Sequence, residues 1–64
     1  MEAFETAVRS AKRVGITKKE ATKIVRKATL KQARKEKWLA SELAMSLAEN
    51  QRVIDLVYGV ETLN

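Results

Sequence analysis

The fold is decided by a short stretch of the chain, residues 14–20, which reads VGITKKE. Thr17 and Glu20 have the spacing of a capping box, in which the threonine hydroxyl and the glutamate carboxylate each accept a backbone amide of the other residue. Gly15 can adopt the left-handed conformation that ends a helix without a steric penalty. Ile16 is placed to pack against Ala21 in the first turn of the helix that follows. The stretch therefore predicts a tight turn between a helix that ends near Val14 and a helix that begins after Thr17.

Apolar residues recur at helical spacing on both sides of this turn. The stripe before the turn consists of Met1, Phe4, Val8 and Ala11. The stripe after the turn consists of Ala21, Ile24, Val25 and Ala28. Beyond Ala28 the phase of the pattern breaks, so the second helix either kinks near residues 28–30 or continues unbroken to about Lys37.

The C-terminal half repeats paired apolar residues every four positions, which predicts a third helix with a wide apolar stripe. These residues are Leu39, Ala40, Leu43, Ala44, Leu47 and Ala48. Asn50 is a suitable N-cap for a fourth helix that ends at Gly59. The β-branched residues between Val53 and Val60 leave a short strand as the alternative.

Length and composition exclude several classes of protein. The 64 residues contain no cysteine, histidine or proline, which excludes disulfides, thiolate zinc sites and the most common general base. No apolar run approaches the ~20 residues that cross a bilayer. We therefore expect one all-α domain over residues 1–64, a compact bundle of three to four short helices in the cytoplasm. We expect no enzyme activity, cofactor, metal, small-molecule substrate or membrane partner.

The charge is concentrated in one part of the chain. Thirteen Lys and Arg against eight Asp and Glu give a net charge of +5. Between Val8 and Lys37, however, twelve cations stand against only Glu20 and Glu36, a balance of +10. The chain thus divides into a basic half, residues 8–37, and an apolar, mildly acidic half, residues 38–64. The positive electrostatic field around the basic half favours a polyanionic partner.

The segment Ser10–Arg26 resembles a helix-turn-helix DNA-binding motif. It has a small residue in the first helix (Ala11), a glycine four positions later (Gly15), an apolar residue after it, and Ala21 and Ile24 on the inner face of the second helix. The resemblance implies that the second helix lies in the major groove of DNA. The residues implied to face the bases are Lys18, Lys19, Thr22, Lys23 and Arg26. The residues implied to contact phosphates are Arg9, Lys12, Arg13, Lys27 and Lys31.

Together these features predict a duplex DNA-binding protein with a regulatory or architectural role, associated with the nucleoid. The three aromatic residues, Phe4, Trp38 and Tyr58, are dispersed, whereas single-stranded nucleic acid is normally held on several stacked aromatic rings. The alternative is a small adaptor or inhibitor that docks its basic face on an acidic partner protein. Binding to a membrane surface is a weaker third possibility, because the basic segment has few bulky apolar residues.

A homodimer is also predicted, because a chain of this length without disulfides or metal gains little from a core of its own. The predicted core and dimer seam consists of Leu39, Leu43, Leu47, Ile54 and Val57.

Overall fold

The computed structural model of the chain describes residues 2–59 and contains three helices within them. They are α1 (Glu2–Arg13), α2 (Lys18–Glu36) and α3 (Ala40–Tyr58). No strand is present in this part of the chain, which confirms the predicted all-α class. Met1 of the first predicted stripe and Val60 of the alternative strand lie outside the described residues. No helix within them combines the length and the apolarity that crossing a lipid bilayer requires.

The turn between α1 and α2 has the predicted geometry. Thr17 is the N-cap of α2: its Oγ1 accepts the Glu20 amide at 3.1 Å, and Oε1 of Glu20 accepts the Thr17 amide at 3.2 Å. Gly15 has a φ of +95°, and the Ile16 amide donates to the carbonyl oxygen of Ala11 at 3.0 Å. The capping box and the glycine stop are therefore confirmed.

Helix α2 continues through residues 28–30 without a break, so the unbroken alternative is correct. After Ala28 a different side of the helix is buried, which explains the shift in the apolar pattern: Ala33 is buried, whereas Ala28 is exposed. The hydroxyl of Thr29 accepts a hydrogen bond of 2.9 Å from the side-chain amide of Asn50. The helix ends at Glu36, and its C-cap, Lys37, adopts the left-handed conformation with a φ of 56°.

Helix α3 is a single helix, so the prediction of a fourth helix capped by Asn50 is wrong. Asn50 lies in the middle of α3 with its side chain turned toward α2. The strand alternative is also wrong for residues 53–58, which are helical. The helix begins at Ala40, where Glu42 accepts the Leu39 amide at 2.9 Å. It ends at Gly59 as predicted, with a φ of +92°.

The core lies where α3 packs against both other helices. Val8, Ile54 and Val57 form the buried cluster, and Ile54 is only 1% exposed. Phe4, Val25, Val53 and Tyr58 cover its edges. Helices α1 and α2 touch each other less than either touches α3, so α3 is the central element of the fold.

Several residues of the predicted apolar stripes are exposed: four are alanines, Ala28, Ala40, Ala44 and Ala48, and two are large. Ile24, placed on the inner face of α2 by the helix-turn-helix resemblance, is 57% exposed, and Leu39 of the predicted seam is 65% exposed. Ile24 is exposed because α2 turns Thr22, Val25 and Thr29 toward α3, which leaves Ile24 at the side of the contact. Leu39 precedes α3 and so lies beyond the stripe that the helix buries. Leu43 and Leu47 are half-buried, and Ile54 and Val57 are part of the core as predicted.

Candidate nucleic-acid interface

A row of cations follows the exposed side of α2 from one end to the other. We call it the basic row; it consists of Lys19, Lys23, Lys27, Lys31 and Arg34, all exposed. At about 100° per residue these side chains fall within about 120° of the helix circumference. At about 1.5 Å per residue the row is about 22 Å long, with neighbouring lysines about 6 Å apart. Arg26 and Lys35, also exposed, lie at its edges.

No carboxylate within residues 2–59 forms an ion pair with the basic row, although Glu20 lies on the same side of α2. The two ion pairs in this part of the chain join Arg9 to Glu5 and Lys18 to Asp55. Of the two acids in the basic half, Glu20 completes the capping box. The other, Glu36, accepts hydrogen bonds from the Trp38 indole at 3.1 Å and from the Gln32 amide.

The basic row is not required by the fold. Like charges four residues apart on a helix destabilise it by about 0.2–0.5 kcal/mol per pair. Helix α2 nevertheless forms, because its other side packs on α3 through residues such as Val25 and Ala33. Departures from local stability rules of this kind are expected at functional surfaces.

Two of the predicted DNA-binding lysines are used inside the fold. Nζ of Lys18 donates to the carbonyl oxygen of Gly59 at 2.8 Å and lies 2.9 Å from Oδ1 of Asp55. Nζ of Lys12 donates to the carbonyl oxygen of Val57 at 3.0 Å and lies 5.9 Å from the centre of the Tyr58 ring. Both ammonium groups therefore cap the C-terminal carbonyls of α3, where positive charge is favourable.

The ion pair with Lys18 changes the acidity of Asp55. The hydrogen bond from Lys18, assisted by one of 3.0 Å from the Gln51 amide, holds the pKa of this carboxyl below its ordinary value. Asp55 therefore stays ionised in mildly acidic solution and keeps the start of α2 attached to the end of α3.

The cations of α1 form a second, separate group. Arg9, Lys12 and Arg13 line a shallow recess together with Val57 of α3. Two guanidinium nitrogens of Arg9, Nε and Nη2, lie 3.0 and 2.6 Å from Oε2 of Glu5. Ala7 and Ala11, by contrast, face α2, and Arg9 and Arg13 are about 120–160° away from each of them around α1. The ten predicted residues are thus divided between two surfaces.

The basic row is better suited to phosphates than to bases. Thr22, one of the predicted base-facing residues, is half-buried at a recess between α2 and α3, with Arg26 at its rim. The only glutamine of α2, Gln32, bonds Glu36. Lysine ammonium groups are point charges that bind phosphate without the planar fork that reads a base edge.

The sequence interpretation omitted two residues of this surface from the predicted site. Arg34 extends the basic row, and Lys35 lies at its edge. Both continue the helical spacing of the cations past the phase break at Ala28. The signal was present in the sequence, but it could be used only once α2 was known to be unbroken.

An apolar groove lies between α1 and α2. It has a volume of about 180 Å³ and is lined mainly by Phe4, Ala7, Ala11, Ile16, Ala21 and Ile24. Ile24 contributes the largest exposed apolar surface at its edge. We call it the apolar groove, and it is the second candidate surface for binding a partner.

Three comparisons were made with known proteins: with models of protein families, with curated proteins and with solved structures. None of them finds a match for this chain. The interpretation of the basic row and the apolar groove therefore depends on their geometry and charge.

Proposed function

We propose that this chain binds duplex DNA through the basic row of α2, in an architectural role. The observation that carries the proposal is that five exposed cations lie on one side of a continuous 19-residue helix. Within the described residues no acid pairs with them. A linear array of cations that form no ion pairs is the counterpart of a linear polyanion.

The dimensions of the basic row support a duplex. Its length of about 22 Å corresponds to about six base pairs at 3.4 Å each. Duplex DNA presents one charge per about 1.7 Å of axis, so each cation of the row has a phosphate within reach. Phosphate contacts of this kind carry no sequence information, which favours an architectural protein over a sequence-specific regulator.

The aromatic residues support a duplex over a single strand. Phe4 covers the core, the Tyr58 hydroxyl bonds Ile16, and the Trp38 indole bonds Glu36. None of the three is placed in the basic row, whereas proteins that hold single strands stack successive bases on aromatic rings along the binding groove.

The test is a fluorescence anisotropy titration of a labelled 20-base-pair duplex with the full chain at several salt concentrations. Five phosphate contacts predict a slope of about −4.5 for log K against log salt. Binding that is absent at low salt, or that does not depend on salt, overturns the proposal.

A matched pair of variants separates the basic row from net charge. Lys23→Ala with Lys27→Ala removes two charges from the row, and Ser41→Glu with Ala44→Glu changes the net charge by the same amount on exposed positions of α3. We expect the first pair to reduce the slope by about 2 and the second to leave it nearly unchanged. Equal losses for both pairs would show that only the overall charge matters.

Two finer features belong to the same proposal. The protein acts on DNA in the cytoplasm as part of the nucleoid, and it does so as a homodimer. A dimer doubles the number of basic rows, and symmetric pairs of DNA-binding faces are the common arrangement in helical DNA-binding proteins.

The apolar groove favours one alternative function, that of an adaptor or inhibitor. An amphipathic peptide with acidic flanks would place its apolar face against Ile24 while its carboxylates meet Lys23 and Lys27. In the anisotropy experiment this alternative predicts no binding of the duplex by the wild-type chain. It also predicts that a labelled acidic amphipathic peptide binds the wild-type chain and not Ile24→Glu.

A further inference from the structure

Helix α3 carries two large apolar side chains on the side that faces away from the core. Met45 is 73% exposed and Leu56 is 70% exposed. Glu49 and Arg52 lie between them and are exposed as well. At about 100° per residue the four fall within about 60° of the helix circumference. We call this set the outer stripe.

The fold of a single chain leaves most of the outer stripe exposed. The core uses Ile54 and Val57, on the other side of α3. Within residues 2–59, neither Glu49 nor Arg52 takes part in an ion pair or a side-chain hydrogen bond. The exposed apolar area is therefore not explained by packing within the chain.

The order of residues in the outer stripe is self-complementary. Consider two copies of α3 lying antiparallel, with a two-fold axis that passes between Asn50 and Gln51. Met45 then lies at the same height as Leu56 of the second copy, and Glu49 at the same height as Arg52 of the second copy. Both contacts occur twice, as an isologous interface requires.

Other arrangements of the outer stripe do not have this property. A parallel two-fold pair would set Glu49 against Glu49 and Arg52 against Arg52, and like charges in contact are unfavourable. Sliding the antiparallel pair by about one helical turn would set Met45 against Arg52 and leave Glu49 without a cation. One register therefore satisfies both the apolar residues and the charges.

We propose that two copies of this chain form an antiparallel dimer through the outer stripe of α3, with Met45 against Leu56 and Glu49 against Arg52 of the other copy. This seam differs from the one predicted from the sequence, because Ile54 and Val57 are already buried within one chain. The dimer does not depend on DNA binding, since the basic row is on a different helix.

The expected dimer is reversible. One pair of helices buries less surface than the ~1,600 Å² of a standard interface. Glu49 and Arg52 are at the surface, where ion pairs contribute up to about 1 kcal/mol and are screened by salt. The fraction of dimer should therefore rise with protein concentration and fall with salt.

The test is sedimentation equilibrium of the full chain, without DNA, from micromolar to millimolar concentration. We expect a monomer–dimer equilibrium in the wild type. Arg52→Glu and Glu49→Arg should each raise the dissociation constant of the dimer at least tenfold. The double charge reversal, Glu49→Arg with Arg52→Glu, should restore the wild-type value. Lys31→Glu, which changes the charge as Arg52→Glu does but on α2, should leave the dimer unchanged.

Three results would overturn the proposal. A wild type that stays monomeric at millimolar concentration would exclude the dimer. A double charge reversal as weak as the single variants would exclude the Glu49–Arg52 register. A Leu56→Glu variant that still forms the dimer, with helix content unchanged by circular dichroism, would place the interface elsewhere. None of these results changes the DNA titration, so DNA binding by the basic row and the α3 dimer are tested separately. A monomeric wild type would remove the homodimer from the proposed function and leave DNA binding by a single chain.

Discussion

The hydroxyl of Tyr58 donates a hydrogen bond of 2.8 Å to the carbonyl oxygen of Ile16. Ile16 lies in the turn between α1 and α2, and Tyr58 is the last residue of α3. Lys12 and Lys18 reach the same end of α3 from both sides of the turn. These contacts fasten the ends of all three helices together, and so they set the direction in which α2 presents the basic row.

The first prediction concerns this junction. Tyr58→Phe keeps the ring that covers the core and removes only the hydroxyl, which leaves the Ile16 carbonyl without its partner. We expect a loss of about 1 kcal/mol in the free energy of unfolding. For a chain of this size the melting temperature should fall by about 4–8 °C. Thermal unfolding followed by circular dichroism measures the change, and an unchanged melting temperature would show that the hydrogen bond contributes nothing.

The second prediction is a pH dependence that belongs to Asp55. Its pKa is lowered in the folded chain by the hydrogen bond from Lys18 and then by that from Gln51. A group with a lowered folded pKa contributes stability above its unfolded pKa, and that stability is lost as the pH falls through the folded pKa. The wild type should therefore be more stable than Asp55→Asn at neutral pH, with the difference shrinking below about pH 4.

The comparison with Asp55→Asn is needed because other carboxylates titrate in the same range. Melting temperatures of both chains from neutral to acidic pH give the difference at each pH. The difference between the wild type and Lys18→Met should shrink over the same pH range but stay above zero, because this variant also loses the hydrogen bond to Gly59. A difference that stays constant down to the most acidic solution would contradict the role of the ion pair.

The third prediction compares isoleucine-to-alanine substitutions at a buried position and at an exposed position. Ile54→Ala should cost about 2–5 kcal/mol, because it leaves a cavity at the most buried side chain. Ile24→Ala, at a position that is 57% exposed, should cost less than about 1 kcal/mol. Chemical denaturation measures both. Equal costs would mean that Ile24 is buried in solution, for example by a second molecule in the apolar groove.

The features that the sequence predicted correctly depend on residues close together in the chain. The capping box joins Thr17 to Glu20, and the end of α1 depends on Gly15. Each is decided by a few residues of known conformational preference, so the pattern is sufficient.

The features that could not be predicted depend on contacts between distant parts of the chain. Asparagine is a residue type that often caps the start of a helix. The side-chain amide of Asn50, however, donates to Thr29, 21 residues away, and α3 continues past Asn50. Lys18 resembles any other surface lysine of the basic half, yet Gly59 and Asp55 hold it. In both cases the contacts between α2 and α3 decide what the residue does. These contacts cannot be read from the sequence around either residue alone.

The last prediction decides which of the two cationic surfaces meets DNA. Arg34 belongs to the basic row, whereas Arg13 lines the recess of α1 beside Val57. Arg34→Ala and Arg13→Ala remove the same charge from exposed helical positions, so their effects on net charge are equal. If the row makes the contacts, Arg34→Ala should weaken binding to duplexes of any sequence to a similar extent and reduce the salt slope by about 1. Arg13→Ala should leave the slope unchanged. The reverse result would show that DNA binds the cations of α1 and that the basic row is only a solvent-exposed surface.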